Sequence, residues 1–337
     1  MNFLLLQLKR IGDLVLTVPA IAALRKNFPA AKITLVAGYG SRQLLPAIPG
    51  LDQTFVARGR LSDAPQWFAL AKAKFDYCLD FSRTDRSAFL TLLSAAEKRI
   101  TYDSIRRQPL QQLSYNEFVP SRVRFVHTID HHLSLLAPLG VHEVSREVQL
   151  ALPVEAKRKA SAVIAEHDLG GDFIIIHPGS ARGEKFWLAR RWAAVADYLR
   201  RERFRIVLTG ARSRLEREHL ERIKRHLQEE VLDLSGQLDL LTLSALIQRA
   251  RLLATIDSAP MHLGGALGTP QVVLFGPTNP FHWRPRSTPT LVLQAGQHEP
   301  LRNFVPKQIQ RQVKEISTQQ VIDAMQSLLS TPAAPVA

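Results

Sequence analysis

Four short stretches of this 337-residue chain carry residue types suited to a phosphorylated substrate. Lys9-Arg10-Ile11-Gly12-Asp13 follows an apolar run and sets two cations, a turn-permitting glycine and a carboxylate at the start of a helix. An aspartate in that place either caps the helix or presents a base at the edge of a sheet. His177–Trp187 (HPGSARGEKFW) places Gly179, Ser180 and Gly183 in a loop with Arg182 and Lys185. Small residues, backbone donors and a cation together suit a phosphate. The loop lacks the GxxxxGK[ST] spacing, so a magnesium-dependent NTPase is not supported.

Asp257–His262 (DSAPMH) again joins a strand to a helix, with Pro260 in the first helical turn and Gly264-Gly265 beyond it. Ser258 and Ala259 are small enough to leave helix N-terminal donors and the dipole free for a diphosphate. The plainer alternative is an Asp cap with a core-packed Gly-Gly. Phe275–Arg284 (FGPTNPFHWR) is a Pro-bounded loop expected to expose an aromatic and an Arg at the same sheet edge. Gly38-Tyr39-Gly40 opens a dinucleotide fingerprint, but Gln43 breaks it. His127, Asp130, His131 and His132 are not read as a metal site, since only His127 and His131 share a helical face. No G-x-S-x-G elbow occurs, and Cys78 lies within a strand, where thiols are inert.

The elements that must position these stretches alternate from end to end. Asn2–Leu8, Lys32–Ala37, Phe55–Val56, Tyr77–Phe81 and Arg99–Tyr102 read as strands, with a helix over Asp13–Asn27 and others near 64–74, 87–96 and 130–139. A polar Lys/Ala/Glu helix, 155–167, follows Leu152-Pro153. The pattern then restarts with strands at Phe173–His177, Arg205–Thr209, Val231–Leu234, Leu252–Ile256 and Gln271–Phe275. Near-continuous apolar strands alternating with helices indicate parallel sheets covered on both faces. The expected fold class is α/β, with two Rossmann-like doubly wound domains facing a central cleft. Ligands of such sheets bind outside the carboxyl ends of the strands. The expected division is a domain over 1–152, a linker over 153–171 and a second domain over 172–312. A C-terminal helix in 313–330 packs back on the first domain, and a disordered Pro/Ala tail follows.

Composition narrows the partners. Hydrophobic residues make up 46% and charged residues 22%, which excludes a disordered or collagen-like chain. No apolar run approaches the roughly 18–20 residues of a membrane span. The N-terminus lacks the uninterrupted apolar stretch of a signal peptide, and a single cysteine allows no intrachain disulfide; a cytosolic address follows. The net charge of +14 is shared evenly between the halves, which argues against a basic nucleic-acid arm and for anionic partners. No nucleic-acid-binding module is present.

Together, KRIGDLVLT with LTVPAIAALRKNFP, then HPGSARGEKFW, then DSAPMHLGGALGTPQVVLFGPTNPFHWRP resemble glycosyltransferase family 9, the ADP-heptose:lipopolysaccharide heptosyltransferases. The likeness spans nearly the whole chain, and the segments Tyr77–Phe81 and His127–Gly140 are most similar to the heptosyltransferase III branch. The resemblance implies a GT-B fold, with an N-terminal acceptor-binding and a C-terminal nucleotide-sugar-binding domain. It further implies inverting, single-displacement transfer of a heptose from ADP-heptose to the anionic inner core of lipopolysaccharide. By it, Asp13 matches the general base, Ser180 and Lys185 the diphosphate-binding hydroxyl and lysine, and Asp257, Ser258, Ala259 and His262 the late nucleotide motif. No metal or other cofactor is expected, because no Asp-x-Asp pair is placed to hold a divalent ion. Arg10, Arg58, Arg60, Arg83 and Arg122 are the candidate acceptor contacts, chosen from charge and loop position. Peripheral contact with the cytoplasmic face of the inner membrane follows from such an acceptor. One departure stands out: many family members carry a Glu soon after the glycine ending the second C-terminal strand, whereas here Gly210 is followed by Ala-Arg-Ser-Arg, with no acid before Glu216. The alternative is a sugar-nucleotide enzyme of the same fold with another donor or acceptor, including a hydrolysing epimerase.

Overall fold

The computed structural model describes residues 1–330 except 142, 143, 171, 287 and 310; the Pro/Ala tail and the end of the expected linker, Gly171, lie outside the described residues. The chain divides between Ala151 and Leu152 into two compact units. In unit 1, β1 (Asn2–Gln7), β2 (Lys32–Gly38), β3 (Gln53–Ala57), β4 (Tyr77–Asp80), β5 (Lys98–Tyr102) and β6 (Glu117–Val119) form one sheet in the order β3-β2-β1-β4-β5-β6. Every pairing in it is parallel, with Leu4 opposite Thr34 on one side and Cys78 on the other. Leu4, Leu5 and Leu6 are fully buried, as expected for a central parallel strand with helices on both faces.

Helices α1 (Ile11–Val15) and α2 (Val18–Asn27) join β1 to β2. The expected single helix is thus two. Thr17 ends the first by donating its hydroxyl proton to the Asp13 carbonyl at 2.8 Å, and Pro19 enters the first turn of the second. Helix α3 (Ala64–Lys72) joins β3 to β4, α4 (Asp85–Leu93) joins β4 to β5, α5 (Pro109–Gln112) precedes β6, and α6 (Thr128–Ser134) follows it.

Unit 2 holds the second parallel sheet, in the order β12-β11-β10-β7-β8-β9. Its strands are β7 (Phe173–His177), β8 (Arg205–Leu208), β9 (Leu232–Asp233), β10 (Leu252–Ile256), β11 (Gln271–Phe275) and β12 (Thr290–Gln294). Around them lie α7 (Val154–Glu166), α8 (Ala189–Arg201), α9 (Arg214–Lys224), α10 (Leu240–Arg249), α11 (Ala259–Leu267), α12 (Pro280–Trp283) and α13 (Thr318–Leu329).

Two expectations about boundaries are corrected here. The stretch expected as a linker is mostly α7, which packs on α10 and buries Ala156 and Ala160, so it belongs to unit 2. Helix α13, expected against the first domain, belongs to the core of unit 2. It lies against α8 and strands β10–β12, with Val321 and Met325 fully buried in the cluster built around Trp187, Trp192, Ile256 and Leu274. Its apolar face completes the cover of a sheet whose strands are buried on both sides, and the indole N–H of Trp187 donates to Ile316 O at 2.9 Å just before the helix begins.

Truncating Met325 to Ala is therefore expected to cost about 2–5 kcal/mol, the usual range for a fully buried Met. Urea unfolding followed by the fluorescence of Trp187 and Trp192 in the same core reads this loss. An unchanged midpoint would mean that α13 is not part of that core.

Candidate active site

All of the candidate acceptor arginines emerge at one edge of the first sheet. Arg10 follows the carboxyl end of β1, Arg58 and Arg60 that of β3, Arg83 that of β4 and Arg122 that of β6. Asp13 stands among them on α1. It is not the helix's N-cap, which is Arg10; Asp13 is the third helical residue, and its Oδ2 accepts from the Arg10 backbone N–H at 3.3 Å. Gly12 lies inside the same short helix, so the turn is made by Lys9 and Arg10.

The position of α1 is fixed by one hydroxyl. Thr17 Oγ1 donates to Asp13 O, accepts from Gln7 Nε2 at 2.9 Å and meets His132 Nδ1 at 3.1 Å. The same Nδ1 lies 3.2 Å from Leu16 O, which can only accept, so Nδ1 carries the proton. Thr17 thereby ties α1 to β1 and α6. Burial holds the His132 pKa down to about 3, so the ring is neutral at physiological pH.

Burial also raises the pKa of the Asp13 carboxyl, opposed first by the charge of Lys9 and then by the Arg10 N–H. A desolvated carboxylate is a stronger base than an exposed one. Lys9 itself is pushed down by burial, against the pull of Asp13.

Behind these residues is a buried polar cluster that sequence reading missed. Asp80, fully buried at the end of β4, accepts from Tyr115 Oη at 2.6 Å, Ser82 N at 2.7 Å and Arg83 N at 3.2 Å. The turn so formed holds Arg83 at φ +55°, a left-handed conformation uncommon for a non-glycine residue. It aims the guanidinium at Ser104 Oγ (2.5 Å) and over the Tyr102 ring (5.2 Å), while Arg83 Nε is buried without a hydrogen-bond partner among the described residues. His131 stacks on Tyr102 at 3.8 Å, and both its ring nitrogens are buried without partners among the described residues. Of the four residues weighed and set aside as a metal cluster, His127 caps α6 through Nδ1, Asp130 pairs with Arg146 and His132 is held by Thr17.

In unit 2 the structure brings two of the predicted donor residues into direct contact. Lys185 Nζ lies 2.5 Å from Asp257 Oδ2 and 3.0 Å from Asp257 O, and Thr278 Oγ1 donates to the same carboxylate oxygen at 2.6 Å. The pair is about nine-tenths buried. Removing one partner of such a pair leaves an uncompensated charge at a cost of about 3–5 kcal/mol. Ser258 is the N-cap of α11 and Ala259 its first helical residue, and no side chain caps the donors there. His262, one turn further, is buried, which brings its pKa down to about 4. Ser180 is buried in the loop after β7, its Oγ accepting from Arg182 N at 3.3 Å. In the Phe275–Arg284 loop the aromatics Phe281 and Trp283 are half-buried rather than fully exposed: Trp283 packs against Met261 and Phe275, and Arg284 lies over Phe304.

The acid that the sequence lacks directly after Gly210 is supplied from α9. Glu216 reaches back to accept from Ala211 N at 2.8 Å and lies 4.0 Å from His177 Nε2. It occupies the space beside Gly179, where a Cβ would fall 2.1 Å from its Oε2. A larger residue at 179 would have to displace this carboxylate, a contact that spacing alone does not reveal.

The model of glycosyltransferase family 9 (heptosyltransferase) matches residues 66–314. The chain belongs to that family. It is 27% identical over 297 residues to the Escherichia coli lipopolysaccharide heptosyltransferase 3, covering 85% of this chain and 87% of the relative. Among solved structures, a family 9 glycosyltransferase from Veillonella parvula superposes with a TM-score of 0.84 at 26% identity over 97% of both chains. The E. coli heptosyltransferase WaaC, solved with ADP, gives a TM-score of 0.71 at 20% identity, again over 97% of both. The family 9 chain is therefore a glycosyltransferase of the GT-B fold class, built from two parallel α/β units, rather than an epimerase.

His131, His132, His177 and His262 are held neutral, at about 3, 3, 4 and 4, against 6.5 for free imidazole. The unfolded chain takes up protons at these sites that the folded one refuses. Their contribution to stability is complete above pH 6.5 and is lost progressively as pH falls through about 4 and on to about 3. Urea midpoints measured from pH 7.5 to 5 are expected to fall steadily through this window; a flat profile would show these rings to be solvated.

Proposed function

We propose that this glycosyltransferase moves a heptose from ADP-heptose to the anionic inner core of lipopolysaccharide, with inversion and without a metal ion. The observation that carries the reading is the buried Lys185–Asp257–Thr278 group beside the uncapped start of α11. It pairs a cation with free backbone donors, the arrangement a diphosphate needs. The heptosyltransferase names of the relatives and the ADP in the WaaC structure support the choice of sugar and nucleotide.

In this reading Asp13 takes the proton from the acceptor hydroxyl as the oxygen attacks the anomeric carbon. The bond to the β-phosphate oxygen breaks, and ADP leaves with the electron pair. Lys185, Ser180 and the dipole of α11 at Ser258 and Ala259 offset the charge developing on that diphosphate, while Asp257 holds Lys185 in place and His262 packs behind. Arg10, Arg58, Arg60, Arg83 and Arg122 present an edge of positive charge to phosphate or carboxylate groups of the acceptor. The enzyme works in the cytoplasm, at the inner face of the membrane that carries the acceptor. No helix among the described residues is long and apolar enough to cross it.

The direct test is to combine purified protein, ADP-heptose and delipidated core oligosaccharide and to look by mass spectrometry for one added heptose. The absence of any product, with ADP-heptose intact, would sink the reading. Asp13→Asn keeps an acceptor for the Arg10 N–H but cannot take a proton, so turnover is expected to fall by roughly 10²–10⁴-fold. Because burial raises this carboxyl's pKa, the ionised group lends no stability at neutral pH, and the variant should melt at or above the wild-type temperature. A substitution that lowers stability but leaves turnover intact would return Asp13 to a structural role. Exhaustive chelation should leave most of the rate; a complete loss restored by magnesium would contradict the metal-free reading.

A further inference from the structure

Unit 1 carries an apolar surface that its fold does not use. By the right-handed crossover rule, the helices after β3, β4 and β5 all cover the same face of the sheet, and α3 and α4 both pack on it. Their inner residues, Leu70 and Leu90, are buried there, yet Phe68 on α3 and Phe89 and Leu92 on α4 point outward and are exposed. Beside them Leu110 is 84% and Leu113 72% exposed on and just after α5. The three helices form one surface. Trp67 meets Phe89 edge-on at 5.5 Å, and Gln111 bonds to Asp85 at the start of α4.

Isolated exposed apolar residues are ordinary; five large ones on adjoining helices are a patch that marks a contact. The charge around it says with what. Between Arg58 and Arg124 there are twelve Lys and Arg against seven Asp and Glu, and Lys72, Arg86, Arg106 and Arg107 stand exposed around the apolar residues. Leu and Phe flanked by Arg and Lys is the pattern of a surface that rests in the headgroup region of an anionic bilayer. The patch also adjoins the carboxyl edge of the sheet: α4 begins two residues after Arg83, and Arg106 and Arg107 follow the end of β5.

We infer that the outer face of α3, α4 and α5 docks on an anionic lipid surface, inserting Phe68, Phe89, Leu92, Leu110 and Leu113. The inference rests on the proposed function in that the acceptor is itself lipid-anchored, so the docked face sets the arginine edge beside the membrane surface.

The test uses full-length protein and sedimentation with vesicles of phosphatidylcholine alone or with phosphatidylglycerol. The wild type should partition to the anionic vesicles, and less so as salt is raised toward 1 M, where the screening length falls to about 3 Å. Phe89→Ser with Leu92→Ser, and separately Leu110→Ser with Leu113→Ser, should each cut partitioning by about tenfold or more with unchanged melting. Arg106→Glu with Arg107→Glu should cut it further. The serine variants should keep wild-type turnover on delipidated oligosaccharide and lose it on acceptor embedded in vesicles. Serine variants that partition like the wild type would overturn the inference, as would dissociation by them of a wild-type dimer, which would make a second copy the occupant. A failure of the heptosyltransferase reading shows separately, as no transfer to the soluble acceptor while vesicle binding persists.

Discussion

A parallel strand can be reached only by a crossover, and because all strands then run the same way, every post-strand loop emerges at the same edge of the sheet. Both units of this protein are built wholly from such strands. Residues as distant in sequence as Arg10, Arg58, Arg83 and Arg122 therefore meet at one edge without any side chain drawing them together. In unit 2 the same rule places the loop after β7, the start of α9 and the start of α11 side by side. It is why Lys185 can reach Asp257 across 72 positions of sequence and why Glu216 can fill the space beside Gly179.

Some of the charged groups gathered at these edges, Lys9, Asp13, Arg83, Lys185 and Asp257 among them, are partly removed from water, which sets a second constraint. The two units solve it differently. In unit 2 the cation and the carboxylate are paired and nearly buried, with Thr278 completing the set, so the loops are held in place before a ligand arrives. In unit 1 the hydrogen bonds fix the backbone instead. Thr17 holds α1 and Asp80 holds the turn at Arg83, while the carboxylate of Asp13 and the guanidinium Nε of Arg83 keep unused capacity. Burial of Asp13 works against the stability of the ionised form and toward its basicity, which suits the proton-accepting role proposed for it.

Much of this was legible in the sequence where a single physical cause dominated. Strands β7, β10 and β11 are short, almost wholly apolar runs rich in Ile, Val and Leu, and their limits follow from that pattern. Strands β6 and β12 were not anticipated; each pairs on one side only, at the margin of its sheet, so its sequence need not be uniformly apolar. The chemistry-bearing loops could be picked out because Gly, Ser, Lys and Pro at strand ends have few other reasons to cluster. What spacing could not show was pairing across the fold. Nothing near Asp80 announces Tyr115, and the acid missing after Gly210 returns from a helix turn later. The placement of α13 was misjudged for a related reason: its amphipathic face specifies that it must pack, but not on which sheet.

The division at Ala151 and Leu152 has a consequence for how such a protein changes over time. Each unit has hydrophobic clusters of its own, and α7 and α13 pack within the second. Substitutions that reshape the arginine edge of unit 1 therefore leave the packing around Trp187 and Trp192 untouched. A change at one sheet edge can therefore be accepted without a compensating change in the other unit's core.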